Sequence, residues 1–299
     1  MPVRMRNYTS EPLFSDDYKK VREFLRELNR TRLEYPGFSW SRWEWMTTHS
    51  MLDRSALNRI GIWEDNGRIV GLATYESCPG DAYIFSAPGY ESLKYEMLEY
   101  SRFVLANEKG LRVIIDNNDR ALQQTAAKMG FRASTEQENT ALIDIRDDLA
   151  YSLPDGYRII SMADGWDYYR YNEVMWRGFN HKGLPPCTPE DIGGRRQMLS
   201  SPMINPEIVL AVVAPNGRYV SHCGMWYAPG DSYAFVEPVA TDPDYRLMGF
   251  GRAVVLEAVK RCGRMGARIA LVGSSQQFYY SIGFYPIYTG TWWVSPRCR

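Results

Sequence analysis

The 299-residue sequence has no surplus of charge: Lys plus Arg and Asp plus Glu each number 35. A protein that binds nucleic acid by displacing counterions from phosphate needs a basic excess, so no nucleic-acid partner is expected. Long hydrophobic runs are also missing. Nowhere do 18 apolar residues follow one another, and no apolar stretch stands behind the basic N-terminus MPVRMRNYTSEPL, so neither a membrane partner nor a secretory leader is expected. The five cysteines (Cys78, Cys187, Cys223, Cys262, Cys298) form no CxxC pair and keep no regular spacing. That pattern points away from a zinc site and from a disulfide framework, so the expectation is no metal and a reducing cytoplasm. The only histidines are His49, His181 and His222, each read as structural.

What the chain does contain is a repeat. NGRIV (Asn66 to Val70) returns as NGRYV (Asn216 to Val220), and PGDAYIF (Pro79 to Phe85) as PGDSYAF (Pro229 to Phe235), both at an offset of 150 residues. KMGF (Lys128 to Phe131) answers SIGF (Ser281 to Phe284) at an offset of 153. Each copy holds two β-rich runs around an Asn-Gly turn, then a third strand after Pro-Gly-Asp. In the second copy Val254, Val255, Ala258, Val259 and Cys262 recur at helical spacing from Gly251 to Met265, followed by a strand in RIALVG, a short helix in QQFYYSI and terminal strands in YPIYTGTWWV. Helices are expected ahead of the hairpins, over Ser15 to Leu33 with Ser15 as N-cap, and over Asp167 to Arg177. The fold class is α/β of the α+β type: two tandem domains, 1–150 and 151–299, each a mixed, mostly antiparallel sheet flanked by helices. The boundary is expected near SLPDG, Ser152 to Gly156.

The stretch RLMGFGRAVV (Arg246 to Val255) places Gly249 and Gly251 where a strand hands over to a helix. Orphan N–H groups and the positive end of a helix dipole make an anion site, and glycine leaves the amides bare. A glycine turn that lets a helix pack closely on a strand would look the same.

With the preceding strand, the following helix and FYYSIGF (Phe278 to Phe284), this stretch resembles the GNAT superfamily of acyl-CoA-dependent N-acetyltransferases. The resemblance implies that Arg246, Leu247, Met248, Gly249, Phe250, Gly251 and Arg252 bind the coenzyme A pyrophosphate. It implies too that Val239, Ala240 and Thr241 pair with the pantetheine arm, and that Tyr279, four residues before Gly283, lies beside the coenzyme's sulfur. An Asn common in the family after the fifth strand is replaced here by VGSSQQ, where Ser274 or Ser275 would substitute. The expected activity is transfer of an acetyl group from acetyl-CoA, as cosubstrate, to an amine of a small molecule or peptide. Tyr279 would be the general acid and Glu237 the general base. The alternative is a non-catalytic acyl-CoA sensor. Either a monomer with an internal pseudo-dimer or a homodimer is compatible with the repeat.

Carried back by 150, Gly249 falls on Glu99 and Gly251 on Ser101; carried back by 153, Tyr279 falls on Ala126. The first copy is therefore expected to be degenerate. Aromatic segments at Phe38 to His49 and Tyr168 to His181 are read as core, with an acceptor wall as the other possibility for the second.

Overall fold

A computed structural model describes residues 2–30, 33 and 36–295. Cys298 and the positions just after Arg30, where the first helix was expected to end, lie outside the described residues. The first half runs β1 (Arg4–Asn7), α1 (Asp16–Arg30), α2 (Trp40–Thr48), β2 (Gly61–Asp65), β3 (Arg68–Thr74), β4 (Asp81–Ser86), α3 (Leu93–Tyr100), β5 (Leu111–Asp116), α4 (Arg120–Lys128) and β6 (Arg132–Asp144). The second runs β7 (Arg158–Ser161), α5 (Tyr168–Gly178), α6 (Pro189–Met198), β8 (Val209–Val213), β9 (Tyr219–Trp226), β10 (Tyr233–Thr241), α7 (Phe250–Arg264), β11 (Ile269–Val272), α8 (Gln277–Ser281) and β12 (Tyr285–Ser295).

The repeated elements form for local reasons. Asn66 and Gly67 both take positive φ, 49° and 78°, the two-residue turn that suits a right-twisted hairpin. The second hairpin has a longer turn, closed by Ala214 N–H donating to Arg218 O at 2.9 Å, in which Gly217 alone is left-handed. Ser15 Oγ accepts the Tyr18 N–H at the start of α1, and Asp167 caps α5 through the N–H groups of Tyr169 and Arg170.

Two compact units result, and they do not coincide with the halves 1–150 and 151–299. One comprises Met1–Thr140 with Ile287–Arg299, the other Ala141–Pro286. In the first, the sheet order is β1-β2-β3-β4-β5-β12, parallel only between β4 and β5. In the second it is β6-β11-β10-β9-β8-β7, parallel only between β10 and β11. The expected terminal strands of YPIYTGTWWV are thus one strand, and from Gly290 to Ser295 it pairs with β5 of the first unit. Ala141 to Asp144, the end of β6, pairs with β11 in the second unit. Trp292 anchors the first of these exchanges. It is buried, edge-on to Tyr83 with centroids 5.5 Å apart, and covered by the Arg112 guanidinium at 4.8 Å. Residues 145–157, which include SLPDG, hold no helix or strand.

In the second unit the apolar stripe of α7 packs as its spacing predicts. Val254, Val255, Ala258, Val259 and Cys262 are all buried in one cluster with Val220, Cys223 and Met225 of β9 and Ala234 of β10. Each valine so buried stabilises the unit by roughly 1.5–3 kcal/mol. In the first unit Trp40 and Trp43 of α2 are fully buried, which assigns that aromatic segment to the core.

Candidate functional site

The parallel pairing of β10 and β11 runs from Tyr233–Ile269 to Phe235–Leu271 and stops. From Val236 onward β10 pairs only with β9, through a bulge between Val236 and Val239. The bulge holds Glu237 and Pro238, and Pro238 has no N–H to offer the ladder. Gly224 of β9 makes room for it: a Cβ there would stand 2.7 Å from Glu237 O. Two strands that part after three paired residues leave a slot between them. Val239, Ala240 and Thr241 form the β10 side of it.

Past β10 the chain turns into α7, whose N-cap is Gly249 with φ +87° and no side-chain cap. A Cβ on Gly249 would have nothing within 4 Å, so only the backbone angle demands glycine and the space over the first turn is open. Leu247 also has positive φ, 62°, and its side chain and that of Met248 are exposed. Gly251 has a different part. A Cβ there would stand 3.2 Å from the Phe278 ring and from Thr241 Oγ1, so this glycine lets α7 pack on α8 and β10. Phe250 is buried in the core against Tyr157. A cleft of about 600 Å3 lies between Ala150–Pro154 and Met248, Gly249 and Arg252, and Arg252 Nη2 donates to Ala150 O at 3.1 Å.

Tyr279 lies on α8, 7% exposed, in edge contact with Phe278 and Phe284. Burial pushes its hydroxyl well above the ordinary tyrosine value, with smaller upward contributions from Cys223 and Glu237, and it shares an apolar cluster with Cys223 and Val239. Cys223 stands opposite Val239 at the bulge, and burial holds its thiol protonated. Ser274 Oγ accepts the Gln276 N–H, and Ser275 is exposed beyond the end of β11. The histidines pack on aromatic rings: His49 on Trp45, His181 on Trp176, and His222 between Trp166 and Tyr171. Burial lowers His222 to about 3, so it is a neutral core residue.

Sequence reasoning missed what supports this loop. Asp242, fully buried, accepts from Arg177 of α5 through both oxygens and from Arg218 at 3.1 Å. Burial would raise its carboxyl, but the Arg177 guanidinium and the Asp244 N–H outweigh that and hold it below the usual range. The carboxylate in DPDY, with proline in a single turn, was the available signal. Among the described residues there is no cluster of three metal-ligating side chains, and no helix is long and apolar enough to cross a membrane.

The model of the acetyltransferase (GNAT) family matches residues 168–285, which span α5, the bulge, the glycine loop and Tyr279. Residues 168–285 thus carry a domain of the GNAT family. A tandem GNAT protein from the clavulanic acid biosynthesis pathway superposes over 100% of this chain and 99% of its own, with TM-score 0.64 and 14% identity. A GCN5-related N-acetyltransferase from Sphaerobacter thermophilus does so over 99% and 96%, with TM-score 0.63 and 14% identity. N-myristoyltransferase from Saccharomyces cerevisiae covers 100% of this chain and 82% of its own, with TM-score 0.55 and 8% identity. At these identities the likeness is one of fold, and it gives the chain the tandem GNAT architecture. A search of curated protein sequences finds no match.

The two copies of the chain correspond element by element only in part. The KMGF–SIGF equivalence holds at the level of the backbone: Phe131 N–H donates to Ala126 O as Phe284 N–H donates to Tyr279 O. Ala126 therefore stands where Tyr279 stands. The equivalence of Glu99 with Gly249 does not hold. Glu99 is in the last turn of α3, exposed, and the helix continues through Ser101 as a π turn. The helix start that corresponds to Phe250 is Leu93, an offset of 157. In place of the glycine loop the first unit has Ala87 to Ser92, where the Glu91 carboxylate accepts the Gly89 N–H at 3.0 Å. Between β4 and β5 it has a small pocket of about 30 Å3, with Lys94 and Asp119 in its lining paired at 2.5 Å.

Proposed function

We propose that the chain is an acyl-CoA-dependent N-acetyltransferase with its active site in the second unit, acting on an amine of a small molecule or peptide. The observation that carries this reading is the bare N-terminus of α7 at Gly249, opening beside the β10–β11 slot that has Tyr279 near it. The site fits acetyl-CoA: the first turn of α7 has no side-chain cap, the space over Gly249 is open, and the β10 edge at Val239 to Thr241 has no β11 partner. Bound there, acetyl-CoA would supply the acetyl group as a thioester and a thiol as leaving group.

The residues then divide the proton work. An alkyl ammonium near 10.4 must lose a proton before it attacks, whereas a thiol leaving group near 8.5 is tolerable at neutral pH. Glu237, half-buried in the bulge, takes that proton directly or through water. Tyr279 stays protonated, because burial raises it, and donates its O–H to the departing sulfur. Since it is a weaker acid than the thiol, it stabilises the sulfur by hydrogen bonding more than by complete proton transfer. The Val239 amide polarises the thioester carbonyl.

Two measurements test the reading. Acetyl-CoA at about 100 times its dissociation constant should raise the unfolding free energy by roughly 2.7 kcal/mol, read as a thermal shift. Thiol release across a library of amines should follow, and Tyr279→Phe should lower turnover about 10²-fold or more with little change in coenzyme affinity. A shift without turnover on any amine would instead support an acyl-CoA sensor.

A further inference from the structure

The last turn of α5 and the turn that carries the glycine loop are tied together in both directions. From α5, Arg177 forks onto Asp242, Nε to Oδ2 at 2.7 Å and Nη2 to Oδ1 at 3.0 Å, and reaches Asp244 at 2.6 Å. From the loop, Arg246 Nη2 donates to Gly178 O at 2.8 Å and to Asn180 Oδ1 at 2.9 Å, while its Nε donates to Thr241 O at 3.2 Å. The contact between the two elements is close. A Cβ on Gly178 would stand 2.7 Å from Ala240 Cβ and 3.0 Å from Thr241 N, so α5 ends directly against β10. The chain then leaves through Asn180, itself left-handed at φ 59°, into 181–187, which hold no regular structure before α6.

We infer that Arg246 is a positioning residue that couples occupancy of the glycine loop to the geometry of residues 178–187. The inference rests on the reading that the α7 N-terminus holds the coenzyme. Arg246 precedes Leu247 and Gly249, the two positive-φ positions whose amides a diphosphate would engage. Fixing those angles fixes the direction in which the Arg246 side chain leaves the backbone. A planar guanidinium with three acceptors carries that direction to Gly178 and Asn180, which a flexible ammonium with the same charge cannot do. The side chain is thus committed to protein acceptors, and the loop offers its anion site through backbone amides. A ligand shifts such an element only by its differential affinity for the two arrangements, and couplings of this kind typically amount to about 5- to 150-fold.

Hydrogen–deuterium exchange on the full chain, with and without coenzyme A, tests this apart from activity. Coenzyme A should slow exchange at 247–252 and also at 179–187. In Arg246→Lys the slowing at 247–252 should persist while that at 179–187 falls by about fivefold or more, the lower bound of ordinary coupling. Asn180→Gly keeps the left-handed backbone and removes one acceptor of the tie, and should give the same pattern without altering the loop. Protection at 247–252 with none at 179–187 in the unmodified protein would overturn the coupling while leaving the coenzyme reading intact. So would a variant that kept full protection at 179–187. No protection and no thermal shift anywhere would overturn the coenzyme reading, and the inference with it.

Discussion

In the second unit the helix that follows the third hairpin strand begins at a glycine with open space above it, and its first-turn amides are capped by no side chain. In the first unit the corresponding loop has its own carboxylate, Glu91, seated on the Gly89 amide, the pocket between β4 and β5 is small, and alanine stands where the other copy has Tyr279. Sheets, helices and even the hydrogen bonds around Gly130 and Gly283 correspond between the two. What separates them is the loop ahead of one helix, the space beside the strands and the residue at the place of Tyr279. Backbone donors left unspent can hold an anion, and donors satisfied within the chain cannot.

The largest expected effect concerns which unit β12 belongs to. Trp292→Ala should lower the stability of the first unit by about 3–5 kcal/mol while leaving coenzyme affinity in the second nearly unchanged. Denaturation followed by tryptophan fluorescence, set beside calorimetric binding, would show it; destabilisation of the second unit alone would mean that the strand is wrongly assigned. Next, Gly249→Glu should cut coenzyme affinity about 100-fold or more, since it adds both a strained positive φ and a carboxylate over the anion site. Normal binding by that variant, measured by titration calorimetry, would erase the difference between the copies.

A pH titration comes third. The carboxyl of Asp242 in the folded protein sits below its ordinary value near 3.9, so its contribution to stability is complete above that pH and is lost as pH falls through the depressed value. The second unit should therefore keep its melting temperature down to about pH 4 and lose it below, and Asp242→Asn should flatten that fall. Gly251→Ala should cost about 1 kcal/mol through crowding of Phe278 and Thr241, with coenzyme affinity changed less than by Gly249→Glu. The smallest effect is expected of Glu99→Gly. Glu99 is exposed near the end of α3, and its removal should leave coenzyme binding unaltered and destabilise the helix by no more than about 1 kcal/mol.

Much of the candidate site was legible because it depends on local chemistry. Glycine at a helix start, an apolar stripe at helical spacing and a tyrosine four residues before Gly283 are all read from consecutive positions, and the structure has Gly249, the α7 face and Tyr279 on those elements. The comparison with Glu99 failed because the two copies do not keep one offset. It is 150 at the third strand, 157 at the helix start and 153 at the following turn, the last change being the difference between α4 with 9 residues and α8 with 5. The strands β1 and β7, at four residues each, are too short to show a period of two.

Side-chain alternation and turn chemistry settle whether a segment is a strand or a helix and where bare amides lie, since these follow from steric and hydrogen-bonding choices within a few residues. Which strand completes which sheet does not. Alternation in YPIYTGTWWV is satisfied by any neighbour with a matching face, and only packing across a sequence separation of 174, as in the bond from Thr291 Oγ1 to Asn117 Oδ1, commits β12 to the first unit. The same holds for the tie of Arg177 and Arg246 across the slot's edge. Its partners are more than 60 residues apart in sequence, and proximity in the fold alone makes them partners.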